Sequence, residues 1–593
     1  MIKPRIALCL LATGLMQPTL HAANLYISPV GKDTQQGTQS APFLTISKAA
    51  ETAQPGDTVW VHAGTYRERV TPACGGTGND QRITYRNVPG EEVFIKGSEQ
   101  ITNWVQEEGS VWKVTLPNSF FGNYNPYALH TDGSALQYGA WHHRGDVYLN
   151  DEAYYEKQTL KEVTQCAKRW HAKVDEQSTT LWANFGGTDP NAQLAEINVR
   201  ETLFWPAKAG INFITVNGFH LSQAAPNWAG HMEPTQMAAI GPMMSKGWII
   251  ENCTVTHSRS VGIGLGQAPN VNVQDIEAFG NHIVRNNIIR KCGQSGIAGK
   301  RGGTRCQIYG NLIEDTNYRR EFGGDETAAI KLMRSVDAVI RDNLIRRVFQ
   351  LDDRAAFGIW IDYCNQGTRI TRNIIYGTDT QTIFLEMNHG PILVDHNVLI
   401  GPQGVSNISE SSVFAHNLFV DCSFYYNTDT RQSGYYTPHT TIQHEKQPMI
   451  QRDDKLLNNL FIENGFNNIE SRPRYESDFN AFVQGAQKST FDDAHSVVDP
   501  FDTNFRTQEK PLGVTFTFLA NAALAELDVP VVDANRLGVF ETSGQSLEDR
   551  TGAPITLATD FNGRSYSPPK AGPLANLKEG INTLRWTYST DRR

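Results

Sequence analysis

IIENCTV (249–255), HIVRNNII (282–289), CQIYGNLI (306–313), AVIRDNLI (338–345), RITRNII (369–375), LVDHNVL (393–399), VFAHNLF (413–419) and LLNNLFI (456–462) are degenerate copies of one another. In register they align Cys253, Asn287, Asn311, Asn343, Asn373, Asn397, Asn417 and Asn459, with steps from 20 residues (397 to 417) to 42 (417 to 459). Each copy alternates apolar and polar residues, turns at a polar corner, and runs on into a second short apolar stretch. Alternation of period two is the mark of a strand with one face in a core. A corner residue that returns every few tens of residues marks one coil of a solenoid. Asn suits such a corner because it accepts left-handed backbone geometry, and its amide can bond the coils above and below in a stacked ladder. The expected fold is all-β, a parallel β-helix.

Working outward, residues 24–99 read as an N-terminal cap and the first coils. A strand, a Gly-rich loop, a short helix over Thr45–Thr52 and the strand around Val59 follow one another. The helix would cover the open end of the solenoid, as a terminal repeat must. This opening resembles that of many secreted right-handed β-helix proteins that act on polysaccharides. Between 100 and 206 the Asn corners stop, and six tryptophans appear: Trp104, Trp112, Trp141, Trp170, Trp182 and Trp205. Short alternating runs broken by Gly, Asn and Asp turns predict an inserted β-sandwich, its tryptophans read as core residues ahead of sugar-stacking ones. Residues 207–480 carry the main β-helix and the expected active site, and 481–593 read as strands and loops packed along it. Residues 1–23 read as a signal peptide: Lys3 and Arg5 precede an apolar run too short to span a bilayer, and Ala22-Ala23 offers a cleavage site. An exported protein, periplasmic or extracellular, is expected.

Of 593 residues 39% are hydrophobic and 19% charged, which excludes disorder as the dominant state. The net charge of −9 shows no basic surplus, so a nucleic-acid partner is not expected, nor is a membrane. Beyond Cys9 of the leader, seven cysteines are spread along the chain with no C-x-x-C pair. That pattern is neither a disulfide framework nor a zinc site. Most are expected buried, with one disulfide allowed.

The chemistry is sought where the solenoid stacks side chains. Asp362 lies eleven residues before Asn373, and Glu386 eleven before Asn397 (373 − 362 = 397 − 386). Equal offsets place the two carboxylates on one face, one coil apart, which is ~4.8 Å. Glycosidases that retain anomeric configuration hold their carboxyls ~5–5.5 Å apart, and inverting ones ~6.5–9.5 Å. One coil step therefore fits a retaining pair, and mutual repulsion raises the pKa of one member. Spacing leaves open which residue is acid and which nucleophile. Trp360 shares the face of Asp362 and offers a stacking platform. His389, three residues beyond Glu386, is a candidate to hydrogen-bond substrate or tune the acid, or else a surface corner residue.

At these residues the chain resembles a known family. IWIDYCNQGTR (359–369) and IFLEMNHGP (383–391) look like the catalytic signatures of glycoside hydrolase family 120, β-xylosidases on a right-handed parallel β-helix. ITYRNVPGEEVFIKGSEQITNW (83–104), SVWKVTLPNSFFGNYNPY (110–127), ANFGGTDPNAQLAEINVR (183–200), IGPMMSKGWIIE (240–251) and REFGGDETAAIKL (320–332) extend the resemblance over most of the chain. It implies a retaining, exo-acting enzyme that releases xylose from the non-reducing end of xylo-oligosaccharides. It also implies Asp362 as nucleophile, Glu386 as acid/base, and Glu326 as a ligand of the terminal sugar. The inserted sandwich is a family feature too. The chain departs from the pattern with Asp325 and Met333 where histidines are expected, and Asp325 is carried as a candidate sugar contact.

No cofactor or catalytic metal is expected; a structural calcium and a homo-oligomer are left open. Two other readings compete. In a calcium-dependent polysaccharide lyase, Asp325, Glu326, Asp352 and Asp353 would hold the ion and Lys300 or Lys331 would be the base. A non-catalytic carbohydrate-binding solenoid would need no carboxylate pair.

Overall fold

The computed structural model describes residues 22–233, 235–267, 275–467, 474–489 and 494–589. Apart from its last two residues, the expected leader over 1–23 lies outside the described residues.

The chain winds into a parallel β-helix. One face is a 13-stranded sheet running from Asn24–Ile27 to Glu476–Asp478. Its inward residues stack as a column: Ile250, Val284, Ile308, Ile340, Ile370, Val394, Phe414 and Leu456 are successive register partners. All are buried. A second face runs through Ile288–Arg290, Leu312–Thr316, Leu344–Val348, Ile374–Thr378 and Val398–Ile400. A third runs through Ser295–Lys300, Ala328–Met333, Phe357–Asp362, Ile383–Glu386 and Val405–Ile408. On this third face Ile330, Leu332, Ile359, Ile361, Ile383 and Leu385 enter the core, so the residues between them point outward.

The Asn corners form the ladder that the repeat implies. From Asn287 to Asn459, each side-chain carbonyl in the next coil accepts both the backbone N–H and the amide N–H of the Asn before it, at 2.9–3.1 Å. The ladder begins at the Cys253 backbone N–H, which donates to Asn287, and it extends one coil beyond the repeat, to Asn480. The Asn480 copy escaped the sequence reading because its flank, SRPRYESDFN, lacks the alternating lead-in.

The helix Ile46–Thr52 is capped by the Thr45 hydroxyl and buries Ile46, Ala49 and Ala50 at the end of the core. The insertion comprises a four-stranded sheet that includes Ser98–Gln100, Val147–Leu149 and Ala195–Asn198, and a five-stranded sheet that includes Val111–Pro117, Arg169–Val174 and Ser178–Asn184. Trp104 and Trp170 lie in the core of this module. Trp205 belongs instead to a cluster with Ala238 and Val261 of the solenoid, and Trp141 is exposed. The insertion touches the β-helix through Leu136–Tyr138, which pairs with Gly323–Gly324. A Cβ on Gly324 would sit 2.1 Å from the Ala135 carbonyl, so this close approach requires glycine.

Near the C-terminus, Arg506–Lys510, Gly513–Ala520 and Gly580–Thr587 form an antiparallel sheet that packs on Leu344, Ile374 and Val398 of the second face. Val532, Phe540 and Leu557 cover the 13-stranded face at Leu393, Val413 and Leu457. The seven cysteines are free thiols, five of them buried. Among the described residues no helix is long and apolar enough to cross a membrane.

The Asn373 side chain makes four ladder bonds: its carbonyl accepts twice from Asn343, and its amide donates to Ile340 of that same coil and to Asn397 of the next. Asn373→Ala strands buried backbone and amide groups, at ~1–3 kcal/mol for each. Denaturant unfolding should therefore show a loss of about 3 kcal/mol or more, and a loss below about 1 kcal/mol would contradict a ladder that holds the coils in register.

Candidate active site

On the third face the outward residues of successive coils are register partners: Lys331 beside Trp360 beside Phe384, and Met333 beside Asp362 beside Glu386. They line a cleft of about 740 Å³ together with His231, Asp325, Glu326, Asp353, Arg354 and Arg431. Asp362 and Glu386 are thus one interstrand step apart, ~4.8 Å between strands.

A second, shorter ladder holds the turns that follow the two carboxylates. The Ser335 N–H donates to the Asn365 side chain, the Asn365 N–H to Asn388, and the Asn388 N–H to the Ser409 hydroxyl, at 3.0, 2.7 and 3.1 Å. Asn365 is three residues past Asp362 and Asn388 two past Glu386. The corner amides therefore fix where each strand ends and how its last side chain projects.

Each carboxylate has its own partner. Lys331 is buried; its ammonium lies 3.1 Å from Asp362 Oδ2 and 2.7 Å from Glu326 Oε2. It also donates to the Asp325 carbonyl at 2.9 Å and sits 3.4 Å from the centroid of the Trp360 ring. Burial opposes its charge, but Glu326 and then Asp362 outweigh it and raise its pKa above the ordinary lysine value. Glu326 also pairs with His231 Nδ1 at 2.9 Å. The His231 carbonyl accepts from Lys300. Glu386 accepts from Trp360 Nε1 at 3.1 Å through one oxygen and from Arg431 Nη2 at 2.7 Å through the other. Asp429 holds the same guanidinium at 2.6 Å.

Burial, then the Asp362 charge, pushes the Glu386 pKa up to about 7, with Arg431 opposing. Burial raises Asp362 as well, with Lys331 the strongest opposing influence. The geometry therefore offers one carboxyl that keeps its proton to near neutrality and another facing an ammonium.

Two expectations are corrected. Trp360 is no open stacking platform: it is 4% exposed, Lys331 covers one face, and Phe357 and Phe384 pack against it. Its part is to donate to Glu386, and half-buried Phe384 is the aromatic beside the cleft. His389 does not line the cleft. It is buried, with Nδ1 2.7 Å from Glu410 and Nε2 3.0 Å from the Ser433 carbonyl, so both nitrogens are taken by the protein. It anchors the segment that carries Arg431. Asp325 lies on the cleft rim, mostly exposed, with Arg354 3.8 Å away.

Lys331, as a lyase base, would have to be neutral, and its two carboxylate partners favour the charged form. Of the acids proposed for an ion, Glu326 is spent on Lys331 and His231, while Asp353 accepts from Tyr138 at 3.1 Å. The sequence reading missed Lys331 as a bridge and missed Arg431. Alternation already pointed Lys331 outward, whereas Arg431 lies on a non-repeating loop 45 residues past Glu386 and gave no signal.

A paired-carboxylate cleft on a β-helix that carries an inserted sandwich defines a glycoside hydrolase, and the comparisons agree. Residues 101–169 match the family model described as "Glycoside hydrolase 120, insertion domain", 238–424 match "Right handed beta helix region", and 29–72 match "Protein of unknown function (DUF1565)". The solved structure of XylC with xylose superposes with a TM-score of 0.87 at 31% identity, covering 95% of this chain and 100% of that one. The chain belongs to glycoside hydrolase family 120, and its β-helix is right-handed. Shorter matches are to the uncharacterized protein YwoF of Bacillus subtilis (strain 168), 42% identical over 79 residues, and to pectate lyase PEL9 of Emericella nidulans, 34% identical over 84. These span 13% and 14% of this chain and only 16% and 20% of those relatives.

Arg431 lowers the Glu386 pKa, so Arg431→Met should raise it. The basic limb of the kcat/KM profile, near pH 7 in the parent, should move up by about one unit. An unmoved limb would show that another group sets it.

Proposed function

We propose that the chain is a retaining, exo-acting β-xylosidase that frees xylose from the non-reducing end of xylo-oligosaccharides. The observation that carries this reading is the register pairing of Asp362 with Glu386, with Lys331 against the first and Trp360 and Arg431 against the second. One coil step, ~4.8 Å between strands, is close to the ~5–5.5 Å of double displacement and shorter than the ~6.5–9.5 Å of an inverting pair. The family membership and the xylose in the XylC structure support the choice of sugar. Glu326 and Lys331 of the preceding coil, with His231 from an earlier loop, gather polar groups suited to the hydroxyls of a terminal sugar. The leader-like segment 1–23 supports export to the periplasm or medium.

In this mechanism the Asp362 carboxylate, with the Lys331 ammonium 3.1 Å away opposing its protonation, attacks the anomeric carbon as the glycosidic C–O bond breaks. Glu386, protonated to about pH 7, gives its proton to the departing oxygen. The Glu386 carboxylate then takes a proton from a water whose oxygen attacks the same carbon, which frees xylose and regenerates both groups. Trp360 and Arg431 stabilise Glu386 while it is ionised, between the two steps. No step requires a cofactor.

Asp362→Ala should lose nearly all turnover, a fall of about 10⁴-fold or more. Glu386→Ala should keep activity on aryl xylosides with good leaving groups and be rescued by azide, which yields a β-azide. NMR of the first product of an aryl β-xyloside should show β-xylose. α-Xylose, or two variants as active as the parent, would refute the reading.

A further inference from the structure

Six basic side chains line the cleft: His231, Lys331, Arg334, Arg354, Arg431 and Lys446. Four face carboxylates: His231 and Lys331 meet Glu326, Arg354 meets Asp325 and Asp353, and Arg431 meets Asp429 and Glu386. Arg334 and Lys446 differ. Among the described residues, neither forms an ion pair with any carboxylate. Both sit over the ring of Tyr363, the residue that directly follows Asp362, with the Arg334 guanidinium carbon 5.3 Å and the Lys446 ammonium 5.8 Å from its centroid. The Nε of Arg334 is buried and makes no hydrogen bond. Arg334 comes from the corner after Met333 on the solenoid, and Lys446 from the exposed loop over the cleft.

Both cations line the cleft, although the chain as a whole carries a net charge of −9. The Arg334 field reaches inward: after burial, its charge is the next cause that holds the Lys300 pKa down to about 8. A neutral pentose offers only hydroxyls, which need no full charge. A guanidinium fork and an ammonium that share one aromatic ring suit a carboxylate on a sugar ring.

Resting on the β-xylosidase reading, we propose that Arg334, Tyr363 and Lys446 form an anion-recognising edge of the cleft. It takes the carboxylate of a uronic-acid branch on a xylo-oligosaccharide, so that acidic oligosaccharides are substrates alongside neutral ones.

The test is calorimetric titration of Asp362→Asn protein, which binds without turning over, with xylotriose and with xylotriose carrying one glucuronic acid branch. The acidic ligand should bind about tenfold or more tightly than the neutral one at low salt, the scale of a charge-assisted contact, and added salt should shrink that ratio. Arg334→Met or Lys446→Met, each added to Asp362→Asn, should bring the ratio towards one, and Lys446→Glu should invert it. Lys446 lies on an exposed loop, so its variants test the edge even if Arg334→Met fails to fold. Equal binding of the two ligands, or a ratio that survives both Met variants, would overturn the proposal. Absence of turnover of an aryl β-xyloside by the parent would instead count against the β-xylosidase reading, while the acidic-to-neutral ratio would still decide the edge.

Discussion

The pitch of the coil, held by stacked side-chain amides, is the constraint on which the rest of this protein depends. Each corner Asn uses its carbonyl and its amide to satisfy backbone groups that a tight buried turn would leave without partners. From Cys253 to Asn480 the exchange joins each coil to the next and opposes slip in register. The Asp362 and Glu386 strands end against the second ladder of Asn365, Asn388 and Ser409. The structural bonds and the placement of the carboxylates are therefore one set of interactions.

On that scaffold the environment separates two similar acids. A bare pair of carboxyls one strand apart would share a proton without assigning it. Lys331, pinned between Glu326 and Asp362 and pressed on the Trp360 ring, breaks the symmetry by placing a charge beside one member. Glu386 instead receives two N–H donors that matter most when it is ionised. The arrangement is preorganised because Lys331 and Trp360 stand on strands with their flanking residues locked in the core. Arg431 is the exception: it is more than half exposed, on a loop that Asp429 and His389 steady.

The solenoid was legible because its signal repeats. Eight aligned corners and equal offsets of eleven residues suffice to stack Asp362 on Glu386, since a ladder converts sequence spacing into distance. Contacts made outside the repeat were not legible. Nothing around Arg431 announces its reach to Glu386, and His389, three residues past an acid, turns inward to Glu410. Trp360 was assigned to the correct face but to the wrong task, because alternation gives the direction of a side chain and not what covers it. Where Lys331 points followed from the pattern; what it bridges needed the neighbouring coils.

The central claim is that Asp362 becomes covalently bonded to the sugar. It is tested most directly by inactivating the enzyme with 2-deoxy-2-fluoro-β-xylosyl fluoride and mapping the label by peptide mass spectrometry. The account predicts one fluoroxylosyl group, on Asp362 in the peptide that contains IWIDYCNQGTR. A label on Glu386, or turnover of the reagent with no trapped adduct, would contradict it.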